Sequence, residues 1–300
     1  MSMGFFRTNL KKLEERQDIN GLIKCLEDRD STIRTGAADA LLRLREIKAL
    51  TPLDQERIVQ VMTRAFGEAH PDTLTAMNSL AETIGTQGDY ARAQGVFERV
   101  LEVRTRVLGE EHPDTLRTMG NLALAFGALG GYAKARRVGE QVVQLMTRVN
   151  GQEHPDTLKA MDNLAGTLWA QGQHAEAQTL SGRVLEVRTR VLGEEHPDTL
   201  TTMSNLAVAF GALGNQAEAL RLQRRVLELM TKVNGQEHPE TSLAAWNLAG
   251  TLENSGDHIG ARKVLQENLL WMLDRDPRTL AGAQQDIQQT MVDMFGRSRR

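Results

Sequence analysis

Residues 112–153 read HPDTLRTMGNLALAFGALGGYAKARRVGEQVVQLMTRVNGQE, and this stretch decides the fold. His112-Pro113-Asp114-Thr115 has the form of a helix start. Proline fits a first turn, whose N–H groups lack partners, and an acid beside it suits the positive end of the helix dipole. Leu116, Met119, Leu122, Ala123 and Phe126 then fall at steps of three and four, which makes one apolar helical face. Gly130-Gly131 stops that helix and permits a tight turn. A second helix is expected from near Tyr132 to about Val149, with Ala135, Val138, Val142, Val143 and Met146 inward, and Asn150-Gly151 breaks it. A lone hairpin of this kind cannot bury both of its faces, so it needs copies of itself to stack against.

The copies are present. His-Pro recurs at His70, His112, His154, His196 and His238, always 42 residues apart. Three further columns keep the same phase: Leu80, Leu122, Leu164, Leu206 and Leu248, each followed by Ala; Gly88, Gly130, Gly172, Gly214 and Gly256; and Ala93, Ala135, Ala177, Ala219 and Ala261. A fixed period of this size marks a solenoid or related array. A second period of 84 lies over the first, since Arg99 through Leu116 is identical to Arg183 through Leu200. Asn163 through Leu168 likewise returns as Asn247 through Leu252. The array therefore reads as a duplicated two-repeat block, with repeats one and three more alike than one and two.

Composition narrows the class. With 36 Lys+Arg against 39 Asp+Glu the net charge is −3, so no bulk positive field points to nucleic acid or an anionic membrane. One cysteine, Cys25, excludes a disulfide framework and a multi-thiolate zinc site. Aromatics make up 4%, too few for a large sandwich or barrel, whereas Leu, Val, Ala and Met can build a helical core. No apolar run approaches the roughly 20 residues of a membrane span. A cytoplasmic protein is the expectation, with Phe5-Phe6 docked on the first helices.

These columns resemble the tetratricopeptide repeat family, whose large residue, Leu-Gly/Ala, turn Gly and second-helix Ala correspond here to Met119, Leu122-Ala123, Gly130 and Ala135. The family's usual period is shorter. The longer unit, with VLGEEHPDTL and NLA, looks like the kinesin light chain variety, also found in nephrocystin-like proteins and in bacterial ATPase-linked sensors. The resemblance covers about Leu53 to Leu280. It implies an all-α, right-handed α-solenoid whose first helices line a concave groove.

The ends differ from the array. Asp18 to Arg45 resembles a HEAT repeat, with Leu22, Ile23, Cys25 and Leu26 inward on one helix and Ile33, Ala37, Ala40, Leu41 and Leu44 on the next. Ile58, Val61, Met62 and Phe66 match the second helix of a repeat without its first. The expected organisation is a HEAT-like cap over 1–50 and a repeat array over 51–276, a half repeat plus five. Residues 277–300 would form a capping helix and basic tail, with Pro277-Arg278-Thr279-Leu280 as a worn repeat start.

No residue pattern suggests catalysis, a metal or a cofactor. Helices pack roughly 10 Å apart, so the five histidines of the column cannot share a zinc ion, whose ligands lie about 2 Å from the metal. A structural role in the loop is expected instead. Cys25 reads as a core thiol, and the glycines around Gly127, Gly130 and Gly131 lack the Lys-Ser/Thr of a phosphate loop.

Function is expected on one column: Asn121, Asn163, Asn205 and Asn247, with Ser79 in repeat one. The resemblance implies that such an Asn holds the backbone of a bound peptide, and an amide can both donate and accept. The open alternative is an Asn that ties adjacent helices together. Arg117 and Lys159 lie one helical turn before Asn121 and Asn163, a basic patch for an acidic side chain or a C-terminal carboxylate, or else two solvated cations. Trp169 and Trp246 are candidate apolar anchors, with burial between helices as the alternative. The expected role is a non-enzymatic scaffold binding a peptide segment of a partner protein, without nucleic acid or membrane. Two other roles stay open: a regulatory or sensor module working with a separate ATPase or effector enzyme, and a HEAT-related chromophore-lyase or DNA-repair-like role.

Overall fold

The computed structural model describes residues 10–46 and 50–297. Phe5, Phe6 and the last three residues of the basic tail lie outside the described residues. Among the described residues there are helices and turns and no strand. The chain divides into two compact units, residues 1–152 and 153–300.

In the first unit, α1 (Ile19–Cys25), α2 (Ser31–Glu46) and α3 (Pro52–Phe66) precede two hairpins, α4 (Pro71–Thr86) with α5 (Tyr90–Leu108) and α6 (Pro113–Ala128) with α7 (Tyr132–Asn150). The second unit holds α8 (Pro155–Ala170) with α9 (His174–Leu192), α10 (Pro197–Ala212) with α11 (Gln216–Asn234), and α12 (Pro239–Asn254) with a shortened α13 (His258–Asn268). Two 3-10 turns, Leu270–Asp274 and Pro277–Thr279, lead to α14 (Gly282–Arg297).

The histidine column explains the helix starts. Each His is an N-cap whose Nδ1 accepts the backbone N–H two residues on, at 3.3 Å for Asp72, 3.2 Å for Asp114 and 3.2 Å for Asp156. Asp198 and Glu240 make the same bond at 3.2 and 3.3 Å. One otherwise unpaired donor per helix is thereby satisfied, a bond worth about 1 kcal/mol. The helix ends are set by glycine. Gly67, Gly109, Gly151, Gly193 and Gly235 close the second helix of each pair at φ 84 to 93° with ψ near 160°, a backbone region open almost only to glycine. Between them Gly88, Gly130, Gly172, Gly214 and Gly256, also at positive φ, turn the first helix into the second.

The loop acids before the first four His-Pro pairs are engaged by neighbouring second helices. Arg99 holds Glu68, Arg148 holds Glu111, Arg190 holds Glu153 and Arg225 holds Glu194. These pairs are exposed, so solvent screens them and they add little to stability.

At the N-terminal end Leu22, Ile23, Leu26, Ala37, Leu41 and Leu44 form one core with Ile58, Val61 and Met62 of α3, reaching Ala76 of α4. Cys25 is half-buried against that core, and burial pushes its thiol above the ordinary value. At the C-terminal end the structure corrects the expected repeat start. Pro277–Thr279 is a short turn capped by the Asp276 carboxylate, and α14 begins at Gly282, 42 residues after Glu240 and so one residue later than the repeat starts. Its buried side is Gln284, Ile287, Gln288 and Met291, while Gln285, Asp286, Gln289, Thr290 and Asp293 face solvent and end the stack.

Candidate functional site

On each first helix the buried Leu-Ala pair fixes the opposite, solvent-facing side. Positions 117, 121 and 124 lie at one-turn steps on it, and each has counterparts 42 residues away. In the first unit this face is already engaged. The Asn121 amide donates to Glu82 Oε1 at 2.8 Å, and the Asn78 amide donates to the same oxygen at 2.8 Å. Arg117 pairs with Asp114 of its own helix at 2.8 Å. Asn121 therefore ties α6 to α4. Beside it, Ala81, Tyr90, Phe97 and Leu124 help line a shallow cavity of about 260 Å³.

The second unit differs. Asn205 is exposed and Asn163 and Asn247 are half-buried on α10, α8 and α12, and among the described residues none of these side chains makes a hydrogen bond. Gly166 and Val208 stand 39 residues before Asn205 and Asn247, as Glu82 stands before Asn121, so no acid competes for those two amides from that position. Lys159 is exposed, one turn before Asn163, and makes no ion pair among the described residues.

The tryptophans do not project freely. Trp169 sits where other repeats carry Gly85, Gly127 or Gly211, and its ring lies 4.1 Å, centre to centre, from that of His174 at the start of α9. Glu253 and His258 pair at the matching place in repeat five, 2.7 Å apart. Trp246 packs with Ala245, Leu269, Met272 and Met291 in the C-terminal core and borders a cleft between α12 and α13.

Two buried arginines that sequence reasoning missed lie behind these faces. Arg104, 1% exposed, donates to the Asp114 carbonyl at 3.0 Å, to Thr118 Oγ1 at 2.8 Å and to Thr75 Oγ1 at 3.3 Å. Thr118 in turn reaches Asn78 Oδ1 at 3.2 Å. Its counterpart Arg188, 5% exposed, donates to the Asp198 carbonyl at 3.0 Å, to Thr202 and directly to the Asp162 carboxylate. Burial pushes the Arg104 guanidinium down and the Asp162 carboxyl up, the latter against the pull of Arg188. Within each unit the neighbouring joint carries Met and Ala in the same two columns, Met62 with Ala76 in the first unit and Met230 with Ala244 in the second. The 84-residue period is thus one polar and one apolar joint in each unit. Its signal was the Met-Arg-Met-Arg-Met run of that column.

The tetratricopeptide repeat model matches residues 80–148, 128–188 and 156–232, more than half of the chain. The chain belongs to the tetratricopeptide repeat family. Among solved structures, the putative kinesin light chain nearly identical TPR-like repeats of Podosopora anserina are 30% identical, with a TM-score of 0.59 over 66% of this chain and 94% of that one. BtubC (BKLC) from P. vanneervenii is 20% identical, with a TM-score of 0.62 over 72% and 87%. A Rap protein complexed with Competence and Sporulation Factor is 12% identical, with a TM-score of 0.55 over 88% and 76%. The last two share the fold alone. No curated protein matches the chain. Among the described residues no helix is long and apolar enough to cross a membrane, and no group of three His, Cys, Asp or Glu is placed to hold a metal ion. The family fold is that of an interaction scaffold.

Proposed function

We propose that this tetratricopeptide repeat chain is a non-enzymatic scaffold that holds an extended segment of a partner protein on the first-helix faces of repeats three to five. One observation carries the reading: Asn163, Asn205 and Asn247 recur at 42-residue intervals with side-chain amides that bond to nothing else among the described residues. A primary amide that is half-buried or exposed beside small residues can donate to one peptide carbonyl and accept from one N–H, whatever side chain follows. Lys159 adds a single positive charge at one end of that row, which favours an acidic side chain or a C-terminal carboxylate there. Arg117 and Asn121 contribute less, because Asp114 and Glu82 already hold them. Trp169 and Trp246 act as packing residues at the edges of the face. The HEAT-like N-terminal pair serves as a cap over α3 and α4, with no binding role of its own.

Peptide display against the purified chain tests this. The wild type should enrich a common motif, and a variant with Asn163→Ala, Asn205→Ala and Asn247→Ala should lose that enrichment while keeping its helical signal. Equal enrichment by the triple variant would remove the reading.

A further inference from the structure

The cleft between α12 and α13 occupies about 870 Å³, against about 260 Å³ for its counterpart in repeat one. The two correspond residue by residue at a distance of four repeats: Ala81, Tyr90, Ala93 and Phe97 become Ala249, His258, Ala261 and Leu265. In repeat one the next first helix, α6, lays Asn121, Leu124 and Ala125 over the cavity. In repeat five no residue of a following helix lines the cleft among the described residues. α13 stops at Asn268, eight residues short of the other second helices, and α14 packs against α12 and the Leu270–Asp274 turn instead. Ile259 stands 86% exposed at the mouth, where the other repeats carry an exposed alanine (Ala91, Ala133, Ala175 and Ala217).

The rim is positive. Arg262 is exposed and makes no ion pair among the described residues, and Lys263 has only a 3.8 Å contact with Glu267. The acid on the rim, Glu253, is already held by His258 at 2.7 Å. An apolar floor shaped to take a repeat first helix, under a cationic edge, specifies its occupant by complementarity.

We infer that this cleft docks an amphipathic α-helix of another protein, one with Leu and Ala at first-helix spacing and acidic residues along its outer edge. The cleft adjoins the amide row at Trp246 and Gly250, but Asn163, Asn205 and Asn247 do not line it. The probes are two fluorescein-labelled synthetic helices that share the apolar stripe of α6, one with glutamates and one with lysines at the outward positions. The acidic helix should give saturable anisotropy with the full chain. Ile259→Glu should weaken it at least tenfold, as should Arg262→Glu combined with Lys263→Glu. Both sites are exposed, so the fold is retained. The Asn163/Asn205/Asn247 triple Ala variant should bind it as the wild type does, which separates this inference from the amide-face reading. Absence of saturation with the wild type, equal binding of the lysine helix, or indifference to Ile259→Glu would each overturn it. So would concentration-dependent dimerisation abolished by Ile259→Glu, which would assign the cleft to a second copy of this chain.

Discussion

The two-repeat block occurs twice, and its copies handle one carboxylate differently. In the first copy the acid is Glu82, on the solvent side of α4, where it receives the amides of Asn78 and Asn121 and leaves Arg104 with neutral oxygens alone as direct partners. In the second copy position 166 is glycine and the acid stands one turn earlier, at Asp162, directly on Arg188. Moving one charge by one helical turn makes the second polar joint ionic. It also releases Asn205, the counterpart of Asn121. Core electrostatics and an open binding face are two consequences of the same exchange.

The largest expected effect lies in the joints. Arg188→Met strands an ionised Asp162 in the interior and should lower stability by about 3–5 kcal/mol in chemical denaturation. Arg104→Met strands only hydroxyls and amides and should cost about 1–3 kcal/mol. Equal losses would break the comparison. Rebuilding the second joint as the apolar one, with Arg188→Met, Asp162→Ser and Thr202→Ala after the Met230, Ser204 and Ala244 pattern, should restore stability to within about 1 kcal/mol of wild type or exceed it.

A middle-sized effect comes from converting one block into the other. Glu82→Gly with Asn78→Asp should free Asn121 to hold a peptide amide, strengthening a displayed peptide that binds the first-unit face by about tenfold, the equivalent of one or two hydrogen bonds. The gain should vanish when Asn121→Ala is added.

The smallest effect is in pH. Burial raises the Asp162 carboxyl above its ordinary value, so the folded state holds that proton more tightly than the unfolded chain does. Stability attributable to Asp162 therefore falls as pH rises from the ordinary carboxylate range through the raised value. The wild type should lose ground to Asp162→Asn over that interval, as read from denaturation midpoints. Glu68 and Glu194, held low by Arg99 and Arg225, act in the opposite sense. Their contribution is present at neutral pH and is lost as pH falls through their lowered values, and it is small because the pairs are exposed.

The repeat was legible in the chain because its determinants are local. The His cap, the positive-φ glycines and the Leu-Ala face each act within one hairpin, so columns at a fixed period expose them. The engagement of Asn121 was not legible, because Glu82 lies 39 residues back and in another column, and only stacking brings the two together. The same holds for Arg104 and Arg188, whose solvent-loving side chains sit at a position that reads as Met in neighbouring repeats. Pro277 misled for a different reason: a Pro-containing 3-10 turn uses the same local signals as a helix start, and only the 42-residue count separates them.

Calorimetric titration of one displayed peptide against Asn205→Ala and against Asn121→Ala tests the central claim most directly. Occupied and open amides predict a loss of about tenfold for Asn205→Ala and no change for Asn121→Ala. Equal losses, or a larger one at Asn121, would contradict the account.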